Sequence, residues 1–441
     1  MSEEIDHAKQ FARAVQRLPS MYVFSTSRMR VVVSHGAIGI QATKALVSPV
    51  RQVINDIQDG TTRRIELTPT VVDELEWSDY DDVPESISSG RPRVARHFAD
   101  EFMQGVDARM HIGGHQDYVE AFGVLASEKV SIGEFWRTSP AYAKSSTVPL
   151  LVARHMCGDA DECPPLASSM GVRLSASHEH PLIVKTSICY TGKPTVTGAT
   201  YVSTRRLSSM PGEKPPREAP RVASPCDTGV YAYSFRRRPP THRDTRRASW
   251  SCDEIIAFTV HDWNREIEEL PVLFGKEAIR GYEEDALRRI DAPTLVDLVQ
   301  RFEKAQPNDG DGLRVVRDDG ATILFVGDIH SNIHALVDVI SSLHGRGMIS
   351  LELILRPGTI LVLMGDYGHR GPYGILVYSL IMTLKIKNPD HVFLTRGNHE
   401  RMRMWHHYRA HGLLTELKHM RTWRAEKFVQ TLVKLPRSRS L

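Results

Sequence analysis

Apolar side chains in residues 5–18 recur at helical spacing, with Ile5, Ala8, Phe11, Ala12, Val15 and Leu18 sharing one face. That pattern predicts an amphipathic helix. Strand-like runs follow at 30–34 (RVVVS), 182–191 (LIVKTSICYT) and 195–204 (TVTGATYVST), the last two joined as a hairpin through Gly192-Lys193-Pro194. Tyr231, Tyr233 and Phe235 alternate as in a half-buried strand, and a further helix is expected near 93–107. Residues 1–204 read as an α+β region of their own.

Residues 205–250 break the pattern. They hold eleven Lys/Arg against four Asp/Glu, with many prolines and serines, the composition of a solvated basic linker. Arg205-Arg206-Leu207-Ser208 and Arg246-Arg247-Ala248-Ser249 within it have the basic-x-Ser form that basophilic kinases favour. Helical periodicity returns in 251–312, a helical extension with helices expected at 253–269 and 293–305. In the second, Pro293 suits the first turn and Leu295, Leu298, Val299 and Phe302 share a face.

From 313 to 441 the pattern changes again. Three short apolar runs, 322–326, 359–364 and 391–395, end in GDIH, GDYGHRG and RGNHE respectively. Runs this short and this apolar suit strands buried on both faces. A helical pattern lies between the first two, through Ile333, Leu336, Val337, Ile340 and Leu343, and 374–386 is apolar nearly all round. Alternating strands and helices predict a mostly parallel α/β sheet, whose strand carboxyl ends gather the polar residues into one place.

Composition adds exclusions. A net charge of +3 gives no ground for a nucleic-acid partner, and the longest apolar run, 374–384, is too short to span a bilayer. The opening MSEEIDHAKQ is not a signal peptide. Five scattered cysteines (157, 163, 189, 226, 252) form no CxxC pairs, which suits a reduced cytoplasmic or nuclear compartment. Cys157 and Cys163, with His155 nearby, read as ordinary loop residues because their spacing is wrong for zinc.

Two aspartates, a histidine and an asparagine at the strand ends form a mixed oxygen and nitrogen set suited to Mn, Fe or Zn. Arg370 and Arg396 stand close by in sequence and have the fork geometry for a phosphate. The three motifs, in this order, resemble those of the phosphoprotein phosphatases, serine/threonine phosphatases within the calcineurin-like metallophosphoesterases, whose opening motifs are GDxHG, GDxxDRG and GNHE. The likeness is firm over about 120 residues, continuing through His407-Tyr408 to Leu435-Pro436. It implies two divalent metal ions (Mn²⁺, or Fe/Zn) and a phosphoprotein substrate. It further implies that Asp328, His330 and Asp366 hold the first metal, and Asp366 and Asn398 the second. Arg370 and Arg396 would hold the phosphate, with His399 as general acid.

Three departures temper that reading. Ser331 follows GDIH where the family has glycine. His369 stands where the family has an aspartate that supports the catalytic histidine; the loss of that charge predicts about 10–100-fold weaker activity. The family's two further metal-binding histidines and another arginine come from motifs after GNHE, beyond where this sequence stops. The second metal site is therefore expected to be incomplete, the sheet to be half-built with apolar edges, and activity to be weak or absent. His406, His407, His411 and His419 match a non-ligand helix of the family and are not expected to substitute. Two other functions stay open: a different calcineurin-like hydrolysis, such as that of dinucleoside polyphosphates, and a pseudophosphatase that binds a regulatory protein through residues 1–250.

Overall fold

The computed structural model describes residues 10–25, 30–80, 92–108, 110–115, 250–268, 270, 290–306, 312–318, 321–345, 347–407 and 413–419, and between 121 and 234 a set of strands by backbone alone. Residues 207–232 and 235–249 of the linker, Cys157, Cys163, the side chain of His155 and the side chains of His406, His407, His411 and His419 lie outside the described residues.

Helix α1 (residues 10–16) carries the expected apolar face, with Phe11, Ala12, Val15 and then Leu18 buried. Strands β1 (Met21–Ser25) and β2 (Arg30–Ser34) pair antiparallel. Helix α2 (Ile40–Asp56), strand β3 (Thr62–Ile65), helix α3 (Pro69–Trp77), helix α4 (Arg96–Gly105) and strand β4 (Met110–Gly113) complete the N-terminal segment.

The helix expected at 253–269 is two: α5 (Cys252–Ala257) and α6 (Val260–Glu268). Thr259 and Asp262 bond reciprocally, the Asp262 N–H donating to Thr259 Oγ1 at 3.1 Å and the Thr259 N–H to Asp262 Oδ2 at 3.0 Å. This capping box restarts the helix, and Ser251 and Glu254 make the same device at the start of α5. Helix α7 (Ala292–Ala305) begins as predicted, capped by Asp291. Strands β5 (Leu313–Arg317) and β6 (Thr322–Val326), helix α8 (Ile333–Gly345), strand β7 (Thr359–Leu363), helix α9 (Gly374–Lys387) and strand β8 (Val392–Leu394) follow. Helices α10 (Met402–His407) and α11 (Leu413–His419) end the description.

Strands β6, β7 and β8 are parallel neighbours, as the alternation predicted. A second sheet runs β3-β5-β1-β2-β4 and continues through Phe135–Arg137 to Ala121–Phe122, with β1 parallel to β5 and β2 parallel to β4. The N-terminal segment is therefore not a region of its own: β5 lies between β3 and β1. The two sheets face each other through aromatic rings. Phe24 is edge-on to Phe393 at 5.4 Å and to Phe325 at 6.4 Å, and Tyr22 is edge-on to Phe393 at 5.3 Å. One core cluster joins Phe11, Tyr22, Phe24 and Val33 to the C-terminal sheet and helices; another sits between α2, α3, α4 and the outer face of β1, β2 and β5.

Exposed apolar sheet surface was expected and is not found. Among the described residues only Ile354 is a large apolar side chain left exposed, at 44%. The N-terminal strands cover the surface that would otherwise be bare. No helix among the described residues is long and apolar enough to cross a membrane.

Glu416 of α11 is fully buried and accepts the Ile375 N–H at the start of α9, at 2.8 Å. Burial pushes its carboxyl up from 4.5 to about 8, against the backbone hydrogen bonds that lower it. The folded value is above the unfolded one, so this group's stabilising contribution is full below about pH 4.5 and is lost as pH rises through about 8. Glu416→Gln is expected to flatten the fall in unfolding free energy over that window, measured by denaturant titration at several pH values.

Candidate metal centre

Five strand ends converge. Asp328 and His330 follow β6, Asp366 follows β7, and Asn398 and His399 follow β8, as the sequence predicted. His35 follows β2 and His115 follows β4. All seven are buried.

Asp366 lies at the middle. Its carboxylate accepts the His399 backbone N–H at 2.9 Å, lies 3.5 Å from His330 Nε2 and lies 3.3 Å from His35 Nε2. His330, Asp366 and His399 form one cluster of donor atoms close enough for an ion; His35, His115 and Asp366 form another. Asp328 stands beside both, 3.6 Å from His35 and 3.9 Å from His330, and its carboxylate accepts the His115 N–H at 3.1–3.2 Å. A Cβ on Gly114 would collide with that carboxylate and the His35 ring, so glycine is required there.

The histidines are oriented for ligation. His330 Nδ1 bonds the Gly368 carbonyl at 3.3 Å, His35 Nδ1 the Met364 carbonyl at 2.9 Å, and His115 Nε2 the Trp77 carbonyl at 3.2 Å. A carbonyl only accepts, so each of these nitrogens carries the proton. The other nitrogen of each ring then turns a lone pair to the centre, the arrangement that metal-binding histidines adopt. Asn398 Oδ1 stands among acceptors: 3.1 Å from His35 Nε2, 3.0 Å from His115 Nδ1, and 3.2 and 3.3 Å from the Asp366 oxygens. This grouping is repulsive unless a cation lies among the atoms, His35 carries a second proton or the amide turns its nitrogen inward. The residues thus fit divalent ions, His330, Asp328 and Asp366 on one side, and Asp366, Asn398, His35 and His115 on the other.

The electrostatics agree. Burial disfavours the His35 imidazolium, but Asp366 and Asp328 outweigh it and raise the pKa to about 10. Burial alone would raise Asp366, yet His35, His399 and His330 hold it well below the usual carboxylate range. The pair of carboxylates therefore attracts positive charge, proton or metal.

The second site was expected to lack its remaining donors, yet His35 and His115 bring nitrogens beside Asp366 and Asn398, from segments before the motifs. Sequence reasoning missed them although the signal was the one used elsewhere: VVVS-His35 is an apolar run ending in a ligand-type residue, and so is the run ending at His115.

His369 lies against His399, Nδ1 to Nδ1 at 3.1 Å, both rings buried. Burial lowers His369 to about 3, with Asp366 opposing and Arg370 adding to the depression. It is a neutral partner, as its sequence position implied. Arg370, half-buried, lies near enough to His330, His369 and His399 to depress all three. His330, Ser331, Asp366, His369 and Arg370 all have φ between 46° and 70°, backbone costing about 1–3 kcal/mol per residue that surrounding structure must offset. Ser331 thus occupies a left-handed position that explains the family's glycine.

Arg396 is placed differently from the expectation. Its guanidinium is bonded to Glu76 Oε1 at 2.6 Å, to Ser20 Oγ at 3.4 Å and to the Gln16 carbonyl. Glu76, fully buried, also accepts from Ser20 Oγ at 2.8 Å and from Arg401 Nε, and Arg401 pairs with Asp73. An arginine expected to clamp phosphate is committed to an ion-pair network with the N-terminal segment.

Residues 321–438 match the calcineurin-like phosphoesterase family. That segment is similar to serine/threonine-protein phosphatases among proteins with this match. The phosphoesterase segment is 36% identical over 95 residues to the serine/threonine-protein phosphatase PP2A-like PPG1 of Candida albicans, covering 22% of this chain and 20% of the relative. It is 27% identical over 115 residues to the serine/threonine-protein phosphatase SIT4 of the same organism, covering 26% of this chain and 32% of the relative. The matched stretch is thus a fifth to a third of either relative's length.

Proposed function

We propose that this chain is a protein serine/threonine phosphatase that removes phosphate from phosphoproteins with two divalent metal ions. The observation that carries the reading is the pair of buried donor clusters sharing Asp366, with three histidines each fixed by a backbone carbonyl. Divalent ions bound there would lower the pKa of water from about 15.7 towards roughly 7 and polarise the phosphoryl oxygens.

The chain's own residues do the rest. Asp366 links the two donor sets, so its carboxylate fixes their separation. Asp328 and His330 complete one set, and Asn398, His35 and His115 the other. Arg370, at the half-exposed side, neutralises phosphoryl oxygens and orients the substrate. His399 delivers a proton to the departing serine or threonine oxygen, a contribution of about 10²–10⁴-fold. Burial holds its imidazole well below the ordinary range, Asp366 opposing, and His369 offers no negative charge to restore it. Weak turnover follows from that neutral partner.

The test is hydrolysis of para-nitrophenyl phosphate and a phosphoserine peptide by the full chain with Mn²⁺, beside metal stoichiometry. Asp366→Asn is expected to abolish turnover and lower bound metal. His369→Asp is expected to raise turnover by about 10–100-fold, the scale of a lost outer-shell partner. A non-catalytic reading, supported by His369 and the commitment of Arg396 to Glu76, would be sustained by two bound metals without turnover in either protein.

A further inference from the structure

The likeness drawn from the motifs implies an order: GDIH, GDYGHRG, RGNHE, and then two more metal-binding histidines. In this chain the histidines beside Asp366 and Asn398 come first, at 35 and 115. We infer that the catalytic body is a circular permutant, in which residues 10–115 and 250–419 are the two halves of one fold joined in exchanged order. The naming of the site rests on the proposed function; the exchange of halves rests on packing as well.

Neither half closes a core alone. Strand β1 of the first half pairs with β5 of the second along all five residues, from Met21↔Leu313 to Ser25↔Arg317, and β3 covers the other edge of β5. The rings of Tyr22 and Phe24 meet those of Phe325 and Phe393 across the sheets. Hydrogen bonds cross between the halves at the site itself, from His115 N–H to Asp328 and from Arg396 to Glu76. The Arg396 N–H also donates to the Pro19 carbonyl at 2.7 Å.

The position of α1 shows where the halves would join in the other order. Phe11 lies 5.6 Å from Trp405 of α10 and 5.6 Å from Tyr378 of α9, and Gln10 Nε2 bonds Glu303. The first described helix therefore rests against α10, close in the chain to the last described helix. A link from the end of the second half to α1 would restore the order of the motifs and histidines without moving any strand. Contacts depend on neighbours in space, and the link contributes only a loop-closure entropy that grows slowly with its length. The chain can then be cut just before Trp250 without dismantling the body, since the strands at Phe135–Arg137 and Gly171–Arg173, which pair with β4 and β6, stay joined to residues 10–115.

The experiment uses the full chain twice. In one protein a protease recognition sequence is inserted between Ser249 and Trp250 and cleaved after purification. In the other, Leu441 is joined to Met1 through a flexible link and the chain is opened between Ser249 and Trp250, so that 250–441 precedes 1–249. The cleaved halves are expected to co-elute in gel filtration without denaturant, and the rearranged chain to unfold in one transition. Both should bind metal in the same ratio as the parent, with affinity within about twofold, because the strand pairings that hold the site are the same in either order. Separation of the cleaved halves under native conditions, or metal loss on cleavage alone, would overturn the inference. If the rearranged chain fails to fold, the cleaved protein decides. Absence of metal and turnover in the uncut parent would sink the proposed function, while co-elution would still judge the exchange of halves.

Discussion

Alanine at His35 is expected to reduce bound metal from two ions per chain to one and to cost turnover more than the about 10–100-fold of a lost outer-shell partner. His35 Nε2 lies within 3.3 Å of Asp366, Asn398 and His115 together, and its Nδ1 is tied to the Met364 carbonyl, so its removal takes a donor from the middle of the cluster. His115→Ala should behave alike, with an added loss where its ring bonds the Trp77 carbonyl. Metal analysis after dialysis, beside Mn²⁺-dependent hydrolysis, checks both. Full stoichiometry and unchanged rate in either variant would show that the motifs bind their ions without the N-terminal segment, contrary to the geometry.

Glu76→Gln is expected to destabilise the fold by about 3–5 kcal/mol, the cost of leaving a buried ionic partner uncompensated. Glu76 is 0% exposed and faces Arg396 and Arg401, whose guanidinium groups are themselves mostly buried. Arg401 keeps Asp73 in the variant, so the loss falls mainly on the Glu76–Arg396 contact. A double-mutant cycle with Arg396→Ala, followed by denaturant unfolding, should give a coupling at the upper end of about 0.5–3 kcal/mol. Independent effects would mean that Arg396 is not held by Glu76 in solution and is available to phosphate.

The two outcomes bear on the same feature from opposite sides. His35 and His115 make the N-terminal segment part of the chemistry; Glu76 makes it part of the scaffold around RGNHE. The backbone is left-handed at Asp366, His369 and Arg370, where β7 gives way to the site. Glu400 accepts the N–H groups of Asp366 at 2.8 Å, Tyr367 at 3.0 Å and Gly397 at 2.8 Å. One carboxylate thereby fixes the ends of β7 and β8 relative to each other.

Much of the C-terminal segment was legible because its signals are local. Buried strands leave unbroken apolar runs, as at 322–326 and 359–363, and α8 and α9 leave helical stripes or all-round apolarity. The donors Asp328, His330, Asp366 and Asn398 follow directly on such strands, so adjacency in sequence carried them. The break between α5 and α6 was missed because two capping boxes four or so residues apart look like one helical stretch when only apolar spacing is read. Arg396 was misjudged because an arginine's partner is not written beside it; Glu76 lies 320 residues away in the chain.

The sequence by itself determined the three motifs, the strand–helix alternation that presents them and the neutral partner at His369. Each depends on residues within a turn or a strand of one another. Only the tertiary structure decided that residues 10–115 belong to the same body, because strand pairing joins positions such as Met21 and Leu313 regardless of their distance along the chain. It also brought His35 and His115 beside Asp366. A metal site is defined by where lone pairs meet in space, and a chain can bring them together in any order that its strands allow.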